Sequence, residues 1–296
     1  MKTTKKVYHY LQYAFFLGVA AVIRFVGYRV SMKIACVIGS LLFLRPKRRS
    51  ISIRNVRAAF PEKSEREIRD IGKRSMQGMV KVIFEFILIP GIAANSKKYV
   101  EVQGVENMWR ALELNKGVVL AVSHFGNWEL MGMASGAEKL PIHAIGKPTK
   151  NPLVYNYIKH VRGLTGMRCI DQEGAIKRTI QLLKENQVVA MLVDERVKDG
   201  TVLVDFFGRK TAASSLPATL GLKYGAAIIP AFYYRGETER SIYLFGKPFD
   251  LISTGNRKKD LAANTQQYMT RLEEEIRKRP SDWTLWMHNR WESHSA

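Results

Sequence analysis

The stretch Ser123-His124-Phe125-Gly126-Asn127-Trp128-Glu129 sets an imidazole and a carboxylate five positions apart. Such a pair can do acid-base work. The carboxylate holds one ring nitrogen by a hydrogen bond, and the other nitrogen takes a proton from an alcohol. This is the base half of a triad without a protein nucleophile, so a substrate hydroxyl does the attacking. The spacing also fixes where the two residues sit. With 3.6 residues per turn, positions five apart on one regular helix point about 140° away from each other. His124 is therefore expected in a turn, with Glu129 in the first turn of the helix that follows, and Gly126 and Asn127 suit such a turn. Amides at that helix start are available to stabilise a developing oxyanion. Spacing alone serves equally well for a turn histidine with a structural hydrogen bond. A zinc protease is not indicated, because no pair of histidines stands four apart around a glutamate.

Positioning such a pair requires strands that end beside one another. The run 117–122 (GVVLAV) is continuous, apolar and of strand length, and 188–193 (VVAMLV) is a second such run. Segments 142–145, 167–170, 226–234 and 241–245 also read as strands, and 201–207 as extended chain. Helices are expected over 151–164, 174–185, 212–224 and 261–278. Ser64 and Glu67 form a capping box that opens a helix whose apolar positions recur at helical spacing until Pro90-Gly91. Apolar strands alternating with helices predict an α/β fold with a mostly parallel central sheet flanked by helices. Function gathers at the carboxyl edge of such sheets. His124, Lys147 and Asp194 each fall just after a predicted strand, which places them in one cleft.

The 296-residue chain carries 47 basic and 26 acidic residues, a net charge of +21 that implies a polyanionic partner. No recognisable motif supports nucleic acid. Two cysteines, Cys36 and Cys169, exclude a disulfide framework and fit a reducing compartment. The amino end is the compositional outlier, with apolar runs at 13–23 and 34–44 and basic residues around both. Each run is shorter than the roughly 20 residues a membrane span needs. Either 10–30 forms one tilted span with Arg24 and Arg29 reaching to the interface, or both runs lie in the interfacial plane. Two regions follow: 1–45 as membrane-associating helices, and 46–296 as the catalytic domain. The basic flanks favour the cytoplasmic face of an anionic membrane. Trp283, Trp286 and Trp291 are expected in the core.

The segment GVVLAVSHFGNWELMG resembles the first motif of the lysophospholipid-type acyltransferases. More narrowly it resembles the lipid A late acyltransferases, where Glu commonly stands five residues after the histidine. Further blocks recur in that family's order. Gly146-Lys147-Pro148 with Asn151-Pro152 resembles the second block, and Lys147 stands where many members carry arginine. Val193-Asp194-Glu195 and Phe206-Phe207-Gly208-Arg209 resemble the next two, and 280–291 resembles the family's carboxyl end. The resemblance implies a glycerolipid-acyltransferase-like fold and O-acyl transfer, with His124 as general base oriented by Glu129. It implies Lys147, Asn151, Asp194 and Arg209 as substrate-binding residues, and Arg162 and Arg196 are further candidates for holding phosphate or another anionic group. The donor is then an acyl thioester on acyl carrier protein or CoA, with no metal and no further cofactor. The acceptor is a hydroxyl of an anionic glycolipid, a lipid A precursor above all, at a bacterial inner membrane. Other lipid acceptors, or a basic membrane-binding protein without turnover, are the competing readings.

Overall fold

The computed structural model describes residues 2–195, 201–236, 240–289 and 291, with side chains from residue 5 onward. The chain opens with three helices: α1 (Lys2–Phe43), α2 (Pro46–Ala59) and α3 (Glu65–Ile92). The short α4 (Ser96–Tyr99) leads into β1 (Val100–Gln103), α5 (Val105–Glu113), β2 (Val118–Val122) and α6 (Leu130–Ala137). Next come β3 (Ile142–Gly146), α7 (Pro152–Leu164), β4 (Arg168–Asp171), α8 (Ala175–Lys184) and β5 (Val188–Leu192). The last part holds β6 (Thr201–Phe206), β7 (Arg209–Ser214), α9 (Leu216–Tyr224), β8 (Ala227–Tyr234), β9 (Ser241–Phe245) and α10 (Arg257–Lys278).

Seven strands form one sheet in the order β1-β9-β8-β2-β5-β3-β4. Every pairing is parallel except β8 with β9. All five residues of β2 are buried, as are four of five in β5. Unbroken apolar runs of this kind are what a strand covered on both faces requires. One face is covered by α2, the first half of α3, α8, α9, α10 and the carboxyl-terminal tryptophans. The end of α3 with α5, α6 and α7 covers the other.

Three local readings of the sequence change. The helix expected from 212 begins at Leu216, and Ala212 to Ser214 instead pair in the β6–β7 hairpin. Pro217 sets that boundary, because it has no N–H to give to a carbonyl one turn earlier. Pro90 lies inside the last turns of α3 rather than beyond its end. The two amino-terminal apolar runs join into one helix, broken at Gly27, whose φ of 76° breaks the helical path. Across the break the Ser31 hydroxyl donates to the Ile23 carbonyl at 2.9 Å. Arg24 is bonded within the protein. Its Nε donates to the Ile87 carbonyl at 3.1 Å and its guanidinium meets the Tyr157 hydroxyl, tying α1 to α3 and α7.

Candidate active site

Strand register builds the centre of the site. Val122 on β2 pairs with Leu192 on β5 in a parallel ladder. The residues two positions further on, His124 and Asp194, therefore leave the same sheet edge side by side. The Asp194 carboxylate accepts the His124 backbone N–H at 2.8 Å, and its other oxygen lies 2.9 Å from His124 Nδ1. Trp283 Nε1 donates to Asp194 at 2.8 Å. Asp194 is fully buried and His124 nearly so. Nδ1 is thereby committed as the protonated nitrogen, and the lone pair of Nε2 is left available. The Glu195 carboxylate, largely exposed, is 3.6 Å from Nε2.

The electrostatics follow from this enclosure. Burial acts to lower the His124 pKa, but the charge and hydrogen bond of Asp194 outweigh it, with Glu195 and Glu129 adding, and the imidazole lies above its ordinary value. Burial acts to raise Asp194, but the His124 charge and the bonds from the imidazole, Trp283 and the His124 amide hold it below the usual carboxylate value.

The loop after His124 is fixed from several sides. Thr284 donates through its amide, at 2.9 Å, and its hydroxyl, at 3.1 Å, to the His124 carbonyl. Gly126 has φ 65°, and a Cβ there would lie 2.2 Å from the Tyr233 carbonyl oxygen on β8, so only glycine fits. Asn127 then does two things. Its Oδ1 accepts the amides of Glu129 at 2.9 Å and Leu130 at 3.2 Å, and its Nδ2 donates to Glu85 at 2.6 Å. Glu85 is fully buried on α3, in a bidentate pair with Arg235, and also accepts the Tyr28 hydroxyl at 2.8 Å.

This arrangement corrects one expectation and reassigns another. The Nδ1 partner of His124 is Asp194, not Glu129. Glu129 stands at the N-cap of α6, one position before the first turn its spacing predicts, and its carboxylate faces Arg162, accepting Nε at 3.0 Å and Nη2 at 2.7 Å. The amides of Glu129 and Leu130, expected to serve an oxyanion, are already bonded to Asn127. Glu85, Asn127, Arg235 and Trp283 went unrecognised as site residues. Their partners lie 42 to 150 positions away in sequence, beyond any local pattern.

The remaining candidates divide. Arg162 and Asp194 converge on the His124 loop. Lys147 directly follows β3 and is exposed. Asn151 caps α7 through the Leu153 amide at 3.0 Å, and its Nδ2 donates to the His9 carbonyl at 2.9 Å and to Gln12 at 3.2 Å. Its amide therefore ties α7 to α1. Arg196 lies outside the described residues. Arg209 follows β6 and lines a separate basic cavity with α2.

Beside the loop is an apolar cavity of about 230 Å³. Ile83, Phe86 and Ile87 of α3, Phe16 of α1 and Ile158 of α7 line it, together with Trp128, Glu129 and Arg162. The Trp128 ring meets the His124 ring edge-on, with centroids 4.6 Å apart. One aromatic side chain thus belongs to both the imidazole's surroundings and the cavity wall.

The chain is similar in sequence to known proteins. Over 190 residues the chain is 25% identical to the phosphatidylinositol mannoside acyltransferase of Mycolicibacterium smegmatis, which is 62% of this chain but only 60% of that protein. It is 23% identical over 287 residues to the lipid A biosynthesis lauroyltransferase of Escherichia coli, covering 94% of this chain and 90% of that one. The palmitoleoyltransferase of the same organism is 24% identical over 273 residues, or 88% and 85% of the two chains. A family model described as bacterial lipid A biosynthesis acyltransferase matches residues 1–293, and the chain belongs to that family.

Proposed function

We propose that the protein transfers a fatty acyl chain from a thioester to a hydroxyl of a glycolipid, with His124 as general base. The observation that carries this is the Nδ1 contact to buried Asp194, which directs the basic lone pair of Nε2 away from the sheet. Nε2 takes the proton of the acceptor hydroxyl as its oxygen bonds to the thioester carbonyl carbon. The carbon–sulfur bond then breaks, and the imidazolium returns the proton to the departing thiolate. Asp194 stabilises the imidazolium between these steps. Glu129 acts through its pair with Arg162, a planar bidentate contact that fixes the wall between imidazole and cavity. The apolar cavity suits the acyl chain, since Trp128 bridges it to the reacting ring.

The donor in this reading is acyl carrier protein or CoA. Full-length similarity to the Escherichia coli lauroyltransferase favours a lipid A precursor as acceptor. Partial similarity to the mycobacterial enzymes supports a phosphatidylinositol mannoside as the second reading. The protein would work on the cytoplasmic face of a bacterial inner membrane, with α1 against the lipid. The test incubates the purified protein with acyl carrier protein and CoA thioesters and each acceptor, and reads product masses. His124→Ala is expected to lose about 10²–10⁴-fold in rate, the range of a general base, while still partitioning to vesicles. Undiminished turnover by that variant would remove His124 from the mechanism.

A further inference from the structure

Away from the His124 loop lies a second cavity, of about 490 Å³, lined by Lys47, Ser50, Arg54, Arg209 and Asn289 with Trp291. Lys47, Ser50 and Arg54 recur at positions i, i+3 and i+7 on α2, so the helix turns one face toward the cavity. Arg209, at the turn of the β6–β7 hairpin, comes from the opposite side, its guanidinium 5.9 Å from the Trp291 ring centroid. Arg54 donates to Asn289 Oδ1 at 3.2 Å, a neutral partner. No carboxylate lines the cavity among the described residues. Three exposed cations around one half-open cavity, with hydroxyl and amide groups between them, suit an oxyanion with several acceptor oxygens.

The position indicates where that anion comes from. Leu41 and Leu44, at the end of α1, are exposed, and Lys47 follows Leu44 by three residues. The cavity therefore opens where an exposed apolar helix gives way to basic side chains, the level at which lipid headgroups lie. The carboxyl-terminal segment joins this cavity to the catalytic loop. Asn55 of α2 donates to the carbonyls of Trp286 at 2.9 Å and His288 at 2.7 Å, while Thr284 and Trp283 of the same segment hold His124 and Asp194.

We propose that Lys47, Arg54 and Arg209 form a binding site for the phosphate of an anionic lipid headgroup. The site extends the acyl-transfer reading, since it would seat a headgroup while the acyl chain lies in the apolar cavity. Its test uses binding without turnover, so either reading can fail alone. The full-length protein is mixed with phosphatidylcholine vesicles, with and without phosphatidylglycerol, and the bound fraction is read by sedimentation. A variant carrying Lys47→Gln, Arg54→Gln and Arg209→Gln is compared with one carrying Arg45→Gln, Arg49→Gln and Lys73→Gln, Lys73 being exposed beside Gly72, which packs against Ser52 of α2. The second set removes the same charge from neighbouring basic positions outside the cavity, so a diffuse field affects both sets alike.

The cavity variant is expected to bind phosphatidylglycerol vesicles at least about tenfold more weakly than the control variant, a difference set by converging charge-assisted bonds. Glycerol phosphate, at matched ionic strength, is expected to compete with vesicles for the parent but not for the cavity variant. His124→Ala should bind like the parent. A variant carrying Lys47→Arg, Arg54→Lys and Arg209→Lys, which keeps all three charges, should retain most of the binding, and this excludes disturbance of the three positions as such as the cause. Equal weakening of the two triple variants would overturn the site. If glycerol phosphate bound the parent but phosphatidylglycerol gave no advantage over phosphatidylcholine, the lipid source would be wrong.

Discussion

In the proposed mechanism Asp194 governs the chemistry, because it is fully buried yet fully bonded. Its oxygens receive the His124 amide, the His124 ring and the Trp283 indole, which leaves its charge little to do except act on the imidazole. The sign of the pH dependence follows. His124 is useful as a base only when neutral, and its pKa is raised, so the acid limb of kcat/KM should lie above the ordinary histidine value of about 6.5. Asp194→Asn removes the charge that raises it and keeps the burial that lowers it. That variant should move the acid limb to lower pH and reduce kcat by about 10²–10⁴-fold, the cost of losing an orienting carboxylate. A reduced rate with an unmoved limb would mean that Asp194 only holds the loop in place. Stability couples oppositely for the two partners. His124, with its raised pKa, contributes fully below the unfolded histidine value and loses this as pH rises through its folded value. Asp194, with its lowered pKa, contributes above the unfolded carboxylate value and loses this as pH falls through its folded value.

At the scale of elements, the question is what keeps a seven-residue loop in one conformation. The answer lies in α1, α3 and β8 rather than in the loop. Glu85 of α3 takes Asn127 from the loop, Arg235 from just beyond β8 and Tyr28 from the second half of α1. Glu85→Gln would leave the Arg235 guanidinium, whose side chain is 19% exposed, without its counter-charge, a change expected at the lower end of the about 3–5 kcal/mol seen when a buried pair is broken. A correspondingly large fall in the thermal unfolding midpoint is expected, and a midpoint within a degree of the parent would show that solvent reaches the cluster. Gly126→Ala should instead cost activity more than stability, because the added methyl collides with the Tyr233 carbonyl and displaces the loop that carries Glu129. This network also explains what was legible in the sequence. The strands β2 and β5 could be read because fully buried strands are written as unbroken apolar runs, and the turn position of His124 followed from helical geometry. The partner of Glu129 could not be read, because Arg162 reaches it from another helix, 33 positions on. The β6–β7 hairpin was obscured for a different reason. Ala212 and Ala213 carry no strand-specific side chains, and only the missing N–H of Pro217 marks where the helix starts.

At the scale of the whole molecule, charge and apolar surface are segregated rather than mixed. The +21 net charge coexists with a helix whose outer face is apolar, with Phe25 92% and Phe15 76% exposed. The inner face of α1 packs on α3 through Ala20, Ile23 and Ala35 against Val80, Phe84 and Ile87. The helix is therefore docked on the catalytic unit on one side and unpartnered on the other, and stretches 5–43 and 65–99 are both long and apolar enough to cross a membrane by length and composition. Since Phe15 and Phe25 are exposed, replacing both with aspartate removes no internal packing and should leave thermal unfolding in detergent unchanged. If this face meets lipid, each aspartate costs up to about 3 kcal/mol near the centre of a bilayer and less toward its surface. The double variant should then sediment with vesicles at least about tenfold less than the parent. Unchanged sedimentation would instead mean that a second copy covers the helix. In that case the variant should shift from a larger to a smaller particle on size-exclusion chromatography, an outcome that lipid contact alone does not produce.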